Sequence, residues 1–263
     1  MILFTGSGAI ANTFAKYYDC EIISARSMDD DTLANKIKVA DVIIHNAALI
    51  NSNDLSEFVD ANFILTKRIL EIVSTIKPKI KFINLSSMSF LKDENQYLNS
   101  KEMSNYAFSK YLNELFCLKY PIENISNVRF STIFYGDFRR DGLSKIVYDC
   151  FFEKKITIYN NGEAIRDFIP IEIAVQYLYK LTNLKTLPKI INIVSGRETS
   201  FKYFVNKLAE LNPEIEIINI ESDTPKILSE FSKSGIAELG EIDFNIDELF
   251  EKYALEINEN INI

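Results

Sequence analysis

Apolar residues along this chain fall in short runs that alternate with longer amphipathic stretches. Ile2 to Thr5 reads as a strand, and Asn12 to Tyr18 as a helix. Glu21 to Ser24 reads as the second strand, Asp29 to Val39 as a short helix, and Asp41 to Ala48 as a buried strand with a small-residue exit. Leu55 to Ile76 is a long helix closed by Pro78, and Lys79 to Leu85 is another strand. Phe108, Tyr111, Leu112, Leu115 and Phe116 recur at i, i+3, i+4, i+7 and i+8, which predicts a helix capped by Ser104 or Asn105. Asn127 to Tyr135 follows as a strand. Beyond it the alternation loosens: a charged loop at Asp137 to Asp141, a helix at Leu143 to Phe152, and a short strand at Ile156 to Tyr159 before the turn Asn160-Asn161-Gly162. Ile165 to Pro170 leads into a helix at Ile171 to Leu181, then a strand at Ile190 to Val194 and a helix at Phe201 to Leu211. Strands that alternate with helices predict an α/β fold.

Composition narrows the partners. The chain has 263 residues, 47% hydrophobic and 25% charged, with a net charge of −8. With no basic block, it is not expected to bind nucleic acid or an anionic membrane. No apolar run reaches membrane-spanning length, and no basic stretch precedes a long apolar one at the start. The three cysteines, Cys20, Cys117 and Cys150, are scattered and odd in number, which fits a reducing cytoplasm. A single histidine leaves no His-rich metal site. The acidic run Asp29 to Asp31 reads as a helix cap.

Tyr106 and Lys110 stand in the spacing Tyr-x-x-x-Lys. On a helix they share one face, and an adjacent ammonium favours the phenolate. That suits proton transfer to or from an alcohol or ketone oxygen. At about 100° per residue the pair falls opposite the apolar stripe, so the stripe is expected to pack while the pair faces elsewhere. Gly6-Ser7-Gly8-Ala9-Ile10-Ala11 gives G-x-G-x-x-A between a strand and a helix, the setting of a dinucleotide fingerprint. Gly6 permits the tight turn, Gly8 the approach of a pyrophosphate, and Ala11 close helix packing, with helix amides facing the phosphates. The second strand ends in Ser24-Ala25-Arg26-Ser27 with no acid until Asp29, which favours NADP(H) over NAD. Ser86 to Ser89 sit where a parallel sheet presents ligands. His45 reads as a packed residue at a strand end.

These pieces together resemble the extended short-chain dehydrogenase/reductases, in the nucleotide-sugar epimerase, dehydratase and reductase group. The resemblance runs nearly end to end. It is carried in order by the turn at Gly6, "DVIIHNAA" at Asp41, "ANFILTKRILE" at Ala61, "FINLSSMS" at Phe82, "YAFSK" at Tyr106, "VRFSTIFYG" at Val128, "NNGEAIRDFIP" at Asn160 and "SKSGIAELG" at Ser232. It implies a Rossmann-type doubly wound parallel sheet with a smaller C-terminal substrate-binding α/β region. Residues 1–134 and 171–194 would form the dinucleotide domain, and 135–170 and 195–263 the smaller one. Tyr106 would be the proton donor or acceptor, Lys110 would lower its pKa and bond the nicotinamide ribose, and Ser87 would orient the substrate carbonyl. Gly6, Ser7, Gly8, Ala9, Ile10, Ser24, Arg26, Ser27, Asn46, Ala47, Ala48 and Asn62 would join Tyr106 and Lys110 around NADP, with NAD the alternative. Ser87, Ser89, Tyr159, Asn160, Arg166 and Lys226 would hold a nucleotide sugar, Arg166 at its diphosphate, and the chain would form a homodimer.

Departures from the family sharpen this expectation. The glycine turn is one residue shorter than T-G-x-x-G-x-x-G. Too few residues separate the second strand from "DVIIHNAA" for the usual strand and helix, so the sheet should lack a strand. Val-Tyr-Gly is replaced by Phe90-Leu91-Lys92, and Lys226 stands nearest to the place of a second phosphate-binding arginine. The dehydratases' Asp-Glu after the catalytic serine or threonine is Met88-Ser89, and the cysteine of 3,5-epimerising reductases is Ser89. What remains is a ketoreductase of nucleotide-activated keto-deoxysugars, with an NAD-dependent 4-epimerase, or a catalytically silent cofactor-binding regulator, as the alternatives.

Overall fold

The computed structural model describes residues 1–93, 96–134, 142–222 and 232–261. Strand β1 (Ile2–Phe4) leads through the glycine turn to α1 (Ala9–Ala15), and β2 (Glu21–Ile22), α2 (Asp30–Val39) and β3 (Val42–His45) follow. The next helix begins as α3 (Leu55–Phe58), passes a π-helical stretch at Val59–Ile64 and continues as α4 (Leu65–Ile76). Then come β4 (Lys81–Ser87), α5 (Asn105–Lys119), β5 (Asn124–Phe130), β6 (Thr132–Phe134), α6 (Gly142–Tyr148), β7 (Lys155–Tyr159) and β8 (Ile165–Pro170). They are followed by α7 (Ile171–Asn183), β9 (Ile190–Ile193), β10 (Glu198–Ser200), α8 (Phe201–Leu211), β11 (Glu216–Ile220), α9 (Ser234–Leu239) and α10 (Ile246–Ile261). The expected strand Asn127 to Tyr135 is two strands, β5 and β6, in different sheets.

Two compact units emerge. The first comprises Met1–Phe130, Val175–Ile193 and Ser232–Gly240. Its six-stranded sheet has the order β2-β1-β3-β4-β5-β9. Every neighbouring pair is parallel, so this is the Rossmann-type α/β sheet. Only α2 separates β2 from β3, and the sheet is a strand shorter for it. Strand order reverses between β1 and β3, so the carboxyl ends of those strands open the crevice where such sheets take ligands. Leu3, Ile43, Phe82 and Ile125 pack with Leu33, Ile37, Ile69 and Val73 of α2 and α4, all at most 2% exposed. Each such side chain contributes roughly 1.5–3 kcal/mol of burial.

Residues 232–240, expected in the smaller domain, belong to this first unit. Ser234 Oγ accepts the Asn192 amide of β9 at 2.9 Å. A Cβ on Gly235 would stand 2.4 Å from the Asn192 carbonyl oxygen, so only glycine lets α9 lie this close to β9.

The second unit comprises Ser131–Ala174, Val194–Phe231 and Glu241–Ile263. It holds a three-stranded sheet, β10-β8-β6, and a two-stranded parallel sheet, β11-β7. Phe168 and Phe204 meet edge to face at 5.1 Å, and Phe134 and Phe250 complete that core. The buried carboxylate of Asp167 accepts from Ser131 Oγ (2.6 Å) and from Ser195 N, Ser195 Oγ and Gly196 N (2.8 Å each), joining β8 to the chain after β9.

Candidate active site

The catalytic trio of the sequence reading is brought together in the first unit. Ser87 ends β4, and Tyr106 lies in the first turn of α5, whose N-cap Ser104 accepts from Ala107 N at 3.1 Å. The Tyr106 phenol lies beside Ser87, whose hydroxyl favours its ionised form. Ser87 Oγ donates to Ser89 Oγ at 3.0 Å and accepts from Ser89 N at 3.1 Å. One turn along α5, Lys110 is buried and donates to the Leu85 carbonyl at 2.8 Å.

Two expectations are corrected here. The Tyr106 pKa is raised, not lowered: burial outweighs the neighbouring Ser87 hydroxyl, which pulls the other way. Burial also lowers Lys110, to about 8, with the Cys117 thiol opposing it. The face assignment of α5 is reversed as well. Ala107, Lys110, Asn113, Glu114 and Cys117 form the buried face, whereas Leu115 and Leu118 of the apolar side are 43% and 40% exposed. Lys110 and Glu114 find partners on the sheet, and Asn113 Nδ2 donates to Asn62 O of the preceding helix at 3.2 Å.

The glycine turn stands at the crevice. A Cβ on Gly6 would fall 2.9 Å from Ala47 Cα, so Gly6 and the exit of β3 are in backbone contact. Over Gly8 a Cβ would meet only Asn46 Nδ2, at 3.7 Å. Ser7 and Gly8 are exposed, Ala9 and Ile10 half-buried, and Ala11 is fully buried behind them. Asn46 Nδ2 donates to Gly6 O at 2.7 Å, while Asn46 Oδ1 is buried without a partner. An open face over Gly8 and an orphaned acceptor beside it fit a dinucleotide with hydroxyl and amide donors. Ala48 is half-buried just after Ala47. Asn62 does something else. Its Oδ1 accepts from Leu49 N at 2.6 Å, and its Nδ2 donates to Leu49 O (3.2 Å) and Ser109 Oγ (2.9 Å). Expected on the cofactor, it instead ties the exit of β3 to α5.

Behind the turn lies a buried hydrogen-bond chain. Thr66 Oγ1 donates to Asn62 O, so it accepts from His45 Nε2 at 2.8 Å, and His45 Nδ1 accepts from Thr5 Oγ1 at 2.7 Å. His45 is the packed residue expected, a neutral connector from β1 to α4. Burial, and then the Lys110 charge, press its pKa down to about 3.

After β2, Ser24, Arg26 and Ser27 are exposed on a short turn. Arg26 Nη2 donates to Ala61 O at 3.3 Å, and Ser27 Oγ to Ser24 O at 3.0 Å. Arg68 was not foreseen. It reaches from α4 to Ala25 O (3.2 Å), Met28 O (2.6 Å) and Asp30 Oδ1 (2.6 Å) and so shapes this turn. Asp29 caps α2 by accepting Thr32 N at 2.7 Å, as its acidic run implied.

In the second unit a cavity of about 350 Å³ is lined by Lys145, Asp149, Tyr159, Asn160, Arg166 and Phe201, among others. Arg166 is half-buried, has no hydrogen-bond or ion-pair partner among the described residues, and is depressed in pKa by burial. An unpaired guanidinium in a cavity suits an anion. Lys145 is paired with Asp149 at 2.5 Å. Asn160, Asn161 and Gly162 all have positive φ (47°, 56° and 66°), the conformation Asn and Gly tolerate best. The Asn160 side chain is taken up by the Ser222 backbone, donating to its O (2.8 Å) and accepting from its N (2.7 Å). Asn160 therefore shapes the cavity wall and does not extend that amide into it. Lys226 lies outside the described residues. Among the described residues no His, Cys, Asp or Glu cluster could hold a metal, and no helix is long and apolar enough to cross a membrane.

Comparison with known proteins agrees with this geometry. The family model described as "NAD dependent epimerase/dehydratase family" matches residues 4–193. No curated protein sequence matches the chain. Among solved structures, an NAD-dependent NDP-hexosamine 5,6-dehydratase of tunicamycin biosynthesis superposes with a TM-score of 0.79 at 16% identity, covering 98% of this chain and 97% of that one. UDP-glucuronic acid 4-epimerase from Bacillus cereus, solved with UDP-glucuronic acid and NAD, gives 0.78 at 18% identity, over 98% of this chain and 91% of that one. UDP-glucose 4-epimerase from Thermotoga maritima gives 0.78 at 16% identity, over 99% of both chains. At such identities the likeness is one of fold.

Proposed function

Since the chain belongs to the NAD dependent epimerase/dehydratase family of enzymes, we propose that it is an NADP(H)-dependent oxidoreductase of nucleotide-activated sugars that reduces a keto-deoxysugar. The observation that carries this reading is Tyr106 beside Ser87 at the end of β4, with Lys110 one turn away on the same helix. A phenol whose pKa is raised is protonated at neutral pH and suited to give a proton to a developing alkoxide. Ser87 donates to the substrate carbonyl when it turns from Ser89, and the protonated Lys110 stabilises the phenolate left behind. Gly6 to Ile10, Asn46, Ala47, Ala48, Ser24, Arg26 and Ser27 hold the nicotinamide cofactor, which supplies the hydride. Arg166 faces the diphosphate, and Tyr159 and Asn160 border the nucleoside. Met88, buried, and Ser89 offer no carboxylic acid–base pair for loss of water.

A 4-epimerase with retained NAD is the second reading, favoured by the fold likeness to two 4-epimerases, one solved with NAD. The test supplies NDP-4-keto-6-deoxysugars with NADPH and follows nicotinamide absorbance and product mass. Stoichiometric NADPH consumption with a gain of two hydrogens supports the reductase. Interconversion of NDP-hexoses without net cofactor oxidation overturns it in favour of the epimerase. Tyr106→Phe should retain cofactor binding while turnover falls by about 10²–10⁴-fold.

A further inference from the structure

We propose that Glu114 and Arg129 are positioning residues: a buried ion pair that fixes the register of α5 on β4 and thereby sets Tyr106 against Ser87. The proposal rests on the reading of Ser87, Tyr106 and Lys110 as the reacting set. Tyr106, Lys110 and Glu114 recur at i, i+4 and i+8 and so share one face of α5. That face meets three successive residues of β4. Lys110 Nζ donates to Leu85 O at 2.8 Å, Ser86 Oγ donates to Glu114 Oε2 at 3.0 Å, and Tyr106 lies beside Ser87. Two hydrogen bonds thus join the helix to the strand next to the Tyr106–Ser87 contact.

Arg129 locks the Glu114 contact. It sits on β5 opposite Ser86 in the parallel ladder. Its Nε donates to both Glu114 oxygens at 3.0 Å, and its Nη2 donates to Oε1. Nη2 also donates to Tyr97 OH at 3.2 Å, and the guanidinium lies 5.5 Å from the Phe90 ring centre and 5.8 Å from that of Tyr97. Phe90 and Tyr97 belong to the segment between Ser89 and α5, bridged at Leu91 and Tyr97. One guanidinium therefore ties together β5, α5 and the segment that follows the catalytic serine. The other titratable groups around the pair include Lys110 and Cys117 of α5 and the Tyr97 phenol.

The side chains of Arg129 and Glu114 are 6% and 2% exposed. Apolar residues of similar volume often replace such buried pairs without loss of stability. Bulk stability is therefore a poor reason for this pair, whereas orientation is a specific one. The two can be separated with the double variant Glu114→Leu/Arg129→Met, which removes both charges together. The readouts are the melting temperature, the Tyr106 phenol titration by ¹³Cζ-tyrosine NMR (assigned with Tyr106→Phe), and kcat and KM on the nucleotide sugar.

The expected result is a folded protein with a displaced Tyr106 titration. Its kcat falls on the order of 10²-fold, the effect of a small misplacement, with KM little changed. A double variant that keeps both the wild-type titration and the wild-type kcat overturns the proposal. Should the double variant not fold, Glu114→Gln, which keeps the shape and removes the charge, is read the same way. The titration needs no substrate. If the wild type turns over no nucleotide sugar, the functional reading fails and the titration still decides whether this pair sets Tyr106.

Discussion

Lys110 donates its ammonium proton to the Leu85 carbonyl at 2.8 Å, so its charge is held against the backbone at the end of β4. Burial brings its pKa to about 8. Tyr106 is moved the other way, above its ordinary 10. The first group to lose a proton as pH rises is therefore Lys110. The kcat/KM of the free enzyme should decline as pH passes about 8. Lys110→Arg, which cannot deprotonate in that range, should remove the decline even where it lowers the plateau. A decline at the same pH in Lys110→Arg would assign it to another group.

His45 makes a separate prediction about stability. Its folded pKa, about 3, lies below the 6.5 of the unfolded chain. Between those values the unfolded chain binds a proton that the native state refuses. The His45 contribution is thus fully kept above pH 6.5 and falls on acidification by up to about 1.4 kcal/mol per pH unit. Glutamine can accept from Thr5 and donate to Thr66 without titrating. His45→Gln should therefore lose less melting temperature than wild type between pH 7 and pH 5. Equal losses would show that carboxylates alone set the acid limb.

The two glycines of the turn should fail differently. Gly6→Ala drives a Cβ to 2.9 Å from Ala47 Cα, backbone against backbone, and should lower the melting temperature as well as abolish cofactor binding. Gly8→Ala has room, its nearest neighbour being Asn46 Nδ2 at 3.7 Å. It should melt like wild type and bind the dinucleotide at least about tenfold more weakly, since a methyl now stands where the pyrophosphate approaches. Thermal melts with and without cofactor separate the two cases. A Gly8→Ala variant with wild-type affinity would place the pyrophosphate elsewhere.

The proposed preference for NADP(H) rests on Arg26. Its guanidinium is exposed and makes one bond to Ala61 O at 3.3 Å, leaving donors for a 2′-phosphate. NADPH should bind more tightly than NADH, and Arg26→Ala should remove most of the difference. Titration of both cofactors decides it, and equal affinities in the wild type would favour NAD.

The outward apolar side of α5 bears on assembly. Leu115, Leu118 and, from the helix before it, Ile64 are 43%, 40% and 47% exposed. Broad apolar helix faces of this kind pair across a two-fold axis in symmetric dimers. Light scattering should show a homodimer at micromolar concentration, and Leu115→Glu/Leu118→Glu should yield a monomer. A monomeric wild type would end this expectation.

Much of the fold was legible because its signals are local. The apolar runs at Ile2, Val42 and Phe82 mark β1, β3 and β4, and the short interval after β2 announced the missing strand. The inner face of α5 was misread because periodicity counts apolar side chains. It cannot see that Lys110, Asn113 and Glu114 meet partners on β4, β5 and the helix before α5. Arg68 and Asp167 escaped, and Asn62 was assigned to the cofactor, for the same reason: their partners are 13 to 47 residues away in the chain. The raised Tyr106 pKa follows from burial, which spacing alone does not report.

The short strand β2 has a further consequence. A sheet edge normally displays a row of unpaired amides and carbonyls on which another chain can build. Here one edge is only two residues long and carries Glu21, paired with Lys36 at 2.5 Å. At the opposite edge, α9 lies across β9, with Ser234 accepting the Asn192 amide and Gly235 against its carbonyl. Both margins of the larger sheet are blunted, one by brevity and charge and the other by a covering helix. Intermolecular strand addition, a route to fibrous aggregates, finds no template there.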